Sequence, residues 1–212
     1  MSNIQEVLGT SDYLVLDDIF NDETYTLLKN YFSNCKWHFT SETNLHEFRK
    51  DATKEELLQD YGFINVITVP EGTHEPTIHT AFEDKILQYF KDVEILRIKA
   101  GLFTPSESEI VHYPHIDSPE PHWTALFYFS TEKDAGETHI YNQKYDPYKY
   151  KSFDVQYEIT KDKFEVLEKV EAKENRVLFF KGNVYHSSSR PRTVYKRIAV
   201  NVNFIGTPLA TT

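Results

Sequence analysis

The sequence predicts a mainly β domain, a barrel or a sandwich, with helices near its amino-terminal end. Two observations predict this fold class. Aromatic residues make up 15% of the chain, with 14 Tyr and 15 Phe against one Met, and aromatic side chains favour strands. From Val93 onward, short strand-forming stretches are separated by turn signals, whereas helical periodicity is found mainly in the first half.

The first ninety residues are predicted to contain a strand and two helices. Residues 13–16 are apolar and form the opening strand. Asn21 is a helix N-cap, because acidic residues and then apolar residues at helical spacing follow it. A second helix is predicted over residues 80–91, where Phe82, Ile86, Leu87 and Phe90 form one stripe that would pack on a sheet.

The rest of the chain divides into short candidate strands. They lie near residues 94–103, 109–114, 122–129, 137–141, 164–170, 176–180 and 193–204. In the last strand, apolar residues alternate with Arg197, Ala199, Asn201 and Asn203. One face is therefore dry and the other polar, which suits a strand that lines a polar cavity; a solvent-exposed face is the alternative.

Residues 141–157 form the least regular stretch of the second half. Two interpretations remain open for this Tyr- and Phe-rich segment: a loop over a binding site, or a pair of aromatic-rich strands. Whether residues 142–160 act as a substrate lid is undecided. No repeat or linker divides the chain, so one domain over residues 1–212 is predicted, with residues 1–92 as a helical support region and 93–205 as the β core.

Composition and charge narrow the classes of partner. A net charge of -10 disfavours nucleic acid and anionic membranes, since binding either would begin with repulsion. The single Cys35 excludes a disulfide framework and suits a reducing compartment. There is no apolar stretch of membrane-spanning length and no signal-peptide pattern. We therefore expect a soluble, cytoplasmic protein without a nucleic-acid or membrane partner.

A metal site is indicated by His115-Ile116-Asp117 together with the distant His186. Residues two apart on an extended strand project to the same side, so His115 and Asp117 can reach one ion. His186 can supply a third ligand, because it follows an apolar strand and a turn at residues 181–183. Two imidazoles and one carboxylate on one face of a metal leave the opposite positions open, the arrangement used by non-haem Fe(II) oxygenases.

An anion site is indicated by Arg197, eleven residues after His186 and inside the last predicted strand. A guanidinium group forms two parallel bonds to a carboxylate, so a dicarboxylic acid could chelate the metal at one end and meet Arg197 at the other. Arg190 and Arg192 flank Pro191 in a loop and are expected to contact substrate or solvent. His112 is expected to support the site or the structure, and the role of Lys99 is open.

At these motifs the chain resembles the 2-oxoglutarate and Fe(II)-dependent oxygenases, particularly the prolyl-hydroxylase-like branch and its phage and marine bacterial members. The resemblance spans roughly residues 94–205. It rests on residues 97–100 (RIKA), 115–119 (HIDSP), 124–129 (TALFYF), 136–138 (GET), 175–180 (NRVLFF), His186 and 197–204 (RIAVNVNF). The resemblance implies a double-stranded β-helix, the jelly roll of cupin-like proteins, with the N-terminal helices packed on one sheet.

The resemblance also implies an activity and a set of roles. His115, Asp117 and His186 would hold Fe(II), Arg197 the distal carboxylate of 2-oxoglutarate, and Tyr128, Thr138 and Asn201 would line the co-substrate pocket. With O2, such an enzyme hydroxylates an unactivated C–H bond and releases succinate and CO2. The substrate, a small molecule or a protein side chain, stays open. The alternatives are a non-catalytic, metal-binding cupin-like module and a zinc hydrolase.

Overall fold

Two antiparallel sheets form the body of the protein. The computed structural model describes residues 4–41, 61–107, 109–130 and 134–210. The strands of these residues are β1 (Tyr13–Leu16), β2 (His38–Thr40), β3 (Gly62–Val69), β4 (Gly72–Thr73), β5 (Phe90–Phe103), β6 (Trp123–Tyr128), β7 (Glu137–Lys144), β8 (Val166–Glu171), β9 (Arg176–Lys181), β10 (Val184–Ser188) and β11 (Arg197–Pro208). The helices are α1 (Ile4–Thr10), α2 (Asp22–Asn34), α3 (Pro76–Ile86) and α4 (Phe153–Thr160).

The large sheet has the strand order β1-β9-β6-β11-β5-β3-β2, and β4 pairs with β3. The small sheet has the order β10-β7-β8. Two isolated bridges, Val111 with Ser189 and His115 with His186, place the segment around residues 111–115 beside β10. The predicted mainly β fold, a double-stranded β-helix with flanking helices, is confirmed.

The strand β11 separates the apolar core from the cavity. Its residues Ile198, Val200, Val202 and Phe204 are buried in the larger apolar core. Helices α2 and α3 cover that face with Leu28, Phe32, Ile78, Phe82 and Ile86. The intervening residues of β11 face the other way, so the alternation seen in the sequence corresponds to one helix-covered face and one cavity-lining face.

Several predicted boundaries need correction. The second helix runs over Pro76–Ile86 and not over 80–91, because Pro76 occupies its first turn and residues from Phe90 onward join the large sheet. No regular strand forms over 109–114, where only the bridge at Val111 is present among the described residues. The last strand begins at Arg197 rather than 193 and extends to Pro208. The region 1–92 also contributes β1 to β4 and is therefore not only helical.

The aromatic segment over residues 141–157 is neither an open loop nor a strand pair. Strand β7 continues to Lys144, and helix α4 begins after Ser152, whose hydroxyl accepts the backbone N–H of Val155. Side chains of this segment join residues outside it in a separate apolar cluster. Its members are Ile116, Tyr141, Tyr145, Tyr150, Phe153, Tyr157, Phe164 and Tyr185.

None of the described helices has the length and apolar character needed to cross a membrane.

Candidate metal centre and adjoining cavity

The structure brings His115, Asp117 and His186 together as the sequence predicted. One ligand atom of each residue lies within 4.8 Å of the others. The backbones of the two histidines exchange a pair of N–H···O hydrogen bonds, both 2.9 Å long, and their rings lie 4.5 Å apart. The spacing argument assumed that His115 and Asp117 lie on a regular strand, but they do not. The single bridge to β10 sets the position of His115, and Asp117 follows it in a bend.

Each imidazole is oriented by a backbone carbonyl. His115 Nδ1 lies 2.9 Å from the carbonyl oxygen of Tyr113, and His186 Nδ1 lies 3.3 Å from that of Val184. A carbonyl oxygen can only accept, so the proton resides on Nδ1 and each Nε2 has a free lone pair. Burial, together with the neighbouring His115, lowers the pKa of His186 to about 4. Both rings are therefore prepared to coordinate a metal through Nε2.

The Asp117 carboxylate is surrounded by hydrogen-bond donors. Burial by itself would raise the pKa of Asp117, but the positive charge of Arg97 and the bond from Asn201 hold it well below its usual range. The carboxylate therefore stays ionised. Its donors are Arg97 Nη2 at 3.1 Å, Thr124 Oγ1 at 3.3 Å, Asn201 Nδ2 at 3.0 and 3.1 Å, and Asn203 Nδ2 at 3.0 Å.

Asn201 lies in the cavity wall, as the resemblance implied, and also contacts a candidate metal ligand. It lines the cavity, but its amide nitrogen donates to both oxygens of Asp117 and makes no bond to Arg197. Sequence reasoning assigned no role to Arg97, Thr124 or Asn203. A signal for Asn203 was present, because it alternates with Arg197 and Asn201 on one face of β11.

A cavity of about 230 Å³ connects the three candidate ligands with Arg197. Between them, the cross-strand pair Gly101 and Ala199 forms part of the wall. A Cβ atom on Gly101 would have its nearest neighbour at 4.0 Å, which shows that the space above this residue is open. Two small residues thus leave room for a ligand that reaches from one end of the cavity to the other.

Arg197 forms the closed end of the cavity and is 1% exposed. Its Nη1 donates to the carbonyl oxygen of Ser189 at 3.1 Å, and its Nη2 to Thr138 Oγ1 at 2.8 Å. Tyr128 donates to the same hydroxyl at 2.8 Å, and its ring centre lies 5.8 Å from the guanidinium carbon. The sequence-predicted residues Tyr128, Thr138 and Arg197 are therefore in contact.

The guanidinium of Arg197 has no anionic partner in the part of the chain that the structure describes. No carboxylate oxygen there lies within 4.0 Å of it, and its buried Nε has no hydrogen-bond partner. Burial lowers the pKa of Arg197. A buried charge without a counter-ion is costly, so this end of the cavity suits the carboxylate of a ligand.

The two loop arginines differ from each other, and only Arg190 departs from the expectation. Arg190 is 3% exposed, donates to the Thr104 carbonyl and hydroxyl and to the Tyr61 carbonyl, and stacks 4.2 Å over the Tyr61 ring. It therefore ties the loop to neighbouring strands rather than contacting substrate or solvent. Arg192 is exposed.

Three further histidines near the site, His112, His122 and His139, contact other residues of the protein. His112 lines the cavity, where its Nδ1 lies 2.9 Å from Ser188 Oγ and its ring packs on Phe103. The supporting role of His112 stays a prediction. His122 lies against Gly182, and His139 pairs with Glu137; neither is among the residues that line the cavity.

Comparison with solved structures extends the identification of the fold. A 2OG-Fe(II) oxygenase family oxidoreductase from Burkholderia pseudomallei superimposes with a TM-score of 0.62 at 11% identity, over 97% of this chain and 92% of that chain. HygX from Streptomyces hygroscopicus, solved with nickel and 2-oxoglutarate bound, gives 0.57 at 12% identity over 96% and 87%. A prolyl hydroxylase from Trichoplax adhaerens, in complex with a hypoxia inducible factor peptide fragment, gives 0.58 at 14% identity over 95% and 87%.

These likenesses concern the fold, which the chain shares with 2OG-Fe(II) oxygenases over nearly its whole length. No model of a protein family matches the sequence, and no curated protein sequence matches it significantly. The function must therefore be argued from the cavity itself.

Proposed function

We propose that this protein is a non-haem Fe(II)- and 2-oxoglutarate-dependent dioxygenase that hydroxylates an unactivated C–H bond. The observation that carries the proposal is the pairing of two features in one cavity. A His-Asp-His cluster lies at one end, and the buried Arg197, without a carboxylate partner in the described residues, lies at the other. A dicarboxylate co-substrate satisfies both ends.

The residues of the cluster fit a divalent ion. His115 and His186 would coordinate it through Nε2 and Asp117 through a carboxylate oxygen, since both Nδ1 atoms face carbonyl groups and the carboxylate is ionised. With O2, the iron and 2-oxoglutarate would supply the oxidation, in which one oxygen atom enters succinate as CO2 leaves and the other enters the substrate C–H bond.

The protein's own part is to bind, orient and exclude water. Arg197 would form charge-assisted bonds to the distal carboxylate of 2-oxoglutarate, with Thr138 and Tyr128 holding the guanidinium in place. Gly101 and Ala199 leave space for the carbon chain. Asp117 keeps the third ligand position occupied, which favours hydroxylation over halogenation. The primary substrate, a small molecule or a protein side chain, is taken up in the remainder of the cavity.

Two other functions fit the same metal ligands less well. A non-catalytic cupin-like module has no need of a buried guanidinium at the far end of a metal-binding cavity. A zinc hydrolase needs a general base near the metal, and the described residues that line the cavity include no glutamate. Asp117 is committed to the ligand set and to four donors, so it is not free to act as that base.

Anaerobic titration tests the proposal directly. Adding Fe(II) and then 2-oxoglutarate should produce the visible charge-transfer band of a chelated complex, and admitting O2 should release succinate slowly even without the primary substrate. Asp117→Ala should lose most of this succinate formation, since it removes a ligand. A rate equal to the wild-type rate in Asp117→Ala, or no band in the wild type, would contradict the proposal.

A further inference from the structure

Lys99 is a cation of the cavity to which the proposed reaction assigns no role. It lies on β5, where it pairs across the sheet with Asn201 of β11, and it lines the same cavity as the three candidate ligands. Arg97, two residues earlier on the same face, is already bound to Asp117. The cavity thus has a third basic side chain near its metal end.

The ammonium group of Lys99 has no anionic partner among the described residues. No carboxylate oxygen there lies within 4.0 Å of it, and it donates no hydrogen bond to them. Asp117 is the acidic residue of the cavity wall, and Arg97, Thr124, Asn201 and Asn203 already occupy its oxygens. Burial and the neighbouring Arg97 lower the pKa of Lys99, whereas Asp117 opposes this change. The Lys99 ammonium thus has no carboxylate of the described residues at ion-pair distance.

The position of Lys99 separates it from the end that holds Arg197. At that end, Arg197, Thr138 and Ser187 are almost completely buried. The wall on the side of β2, β3 and β5 is partly exposed, so the cavity opens on this side. Its members are Thr40, Phe63, Ile64, Lys99, Gly101 and Phe103. With 2-oxoglutarate at the closed end, Lys99 and this wall would remain for the primary substrate.

Charge balance favours an anion at this position. Among the described residues at the cavity, Arg97, Lys99 and Arg197 contribute three positive charges against the single negative charge of Asp117. A divalent cation and a dicarboxylate cancel each other and leave this excess unchanged. A carboxylate on the primary substrate reduces it and forms a charge-assisted bond to the ammonium.

We propose that Lys99 binds a carboxylate of the primary substrate, and that the apolar remainder of that substrate packs against Phe63, Ile64 and Phe103. This assignment rests on the proposed function, because it takes Arg197 and the metal to be occupied by 2-oxoglutarate. It makes Lys99 a specificity-determining residue, which selects a small organic acid over a neutral molecule of the same shape.

The test uses a matched pair of probes, 3-phenylpropanoate and its primary amide 3-phenylpropanamide, which differ mainly in charge. Calorimetry on the full chain loaded with Ni(II) and saturating 2-oxoglutarate should give about tenfold or greater preference for the acid. Lys99→Met should abolish this preference and leave 2-oxoglutarate affinity within about twofold. Lys99→Arg should retain the preference, and Lys91→Met, an exposed lysine on the same strand, should behave like the wild type.

Two results would overturn the assignment: equal binding of acid and amide by the wild type, or a tenfold loss of 2-oxoglutarate affinity in Lys99→Met, which would place Lys99 in the co-substrate site. A wild type that binds no 2-oxoglutarate would instead contradict the proposed function. The acid–amide comparison, repeated without 2-oxoglutarate, then decides whether Lys99 is an anion site: a preference lost in Lys99→Met supports it, and no preference rejects it.

Discussion

The two ends of the cavity are built in opposite ways. At the metal end, a bend and a single bridge position His115 and Asp117, and the carboxylate has a full set of donors from the large sheet. At the other end, Arg197 projects from a regular strand and is 1% exposed, with neutral hydrogen-bond partners only. The protein therefore completes the charge balance of Asp117 itself but leaves that of Arg197 to a ligand.

The largest effect is expected where a metal ligand is removed. His115→Ala or His186→Ala leaves two ligands in place of three, so Ni(II) affinity should fall more than about 100-fold, beyond the loss typical for residues that only support a ligand. Calorimetry with Ni(II) measures this change. His74→Ala removes an exposed histidine and is the control. Near-wild-type Ni(II) affinity in both ligand variants would mean that the metal does not bind at this end of the cavity.

The next effect separates the two ends. Arg197→Met should retain Ni(II) and bind 2-oxoglutarate about tenfold to 100-fold more weakly, the range expected for a lost charge-assisted contact of roughly 1.5 to 3 kcal/mol. Arg192→Met, which changes an exposed arginine, should bind it like the wild type. Unchanged 2-oxoglutarate affinity in Arg197→Met would mean that the buried charge serves the fold and not a ligand.

The smallest effect tests whether Asn201 orients Asp117. Because its amide donates to Asp117, Asn201→Ala should weaken Ni(II) binding by about tenfold, the lower end of the range for groups that orient a ligand. Asn203→Ala removes another donor to the same carboxylate and should act similarly. The affinity of the Ni(II)-loaded variants for 2-oxoglutarate, measured in the same titrations, should change less than twofold. A selective loss of 2-oxoglutarate affinity in Asn201→Ala would mean that Asn201 binds the co-substrate rather than orienting Asp117.

Elements with a strong local pattern could be predicted from the sequence, whereas their limits could not. Asn21 caps α2 as predicted, and its side chain accepts the backbone N–H of Thr24. The spacing of the stripe that ends at Phe90 predicts one helix, but Phe90 belongs to β5 and packs in the same apolar core. Burial alone does not distinguish a helix end from a strand start. Strand β3 was missed although its β-branched residues are typical of a strand.

The amino-acid sequence alone predicts the kinds of side chain in the site and the face of β11 on which Arg197 and Asn201 lie, because side-chain alternation is a local property of an extended chain. The folded structure is needed to show that Asn201 contacts Asp117, that Arg190 is buried and bonded to Thr104, and that Arg197 lacks a carboxylate partner within the described residues. These relations depend on sheet register and on loops that join residues far apart in sequence. Contacts of this kind do not follow from the periodicity of the sequence, since each depends on the packing of the whole domain.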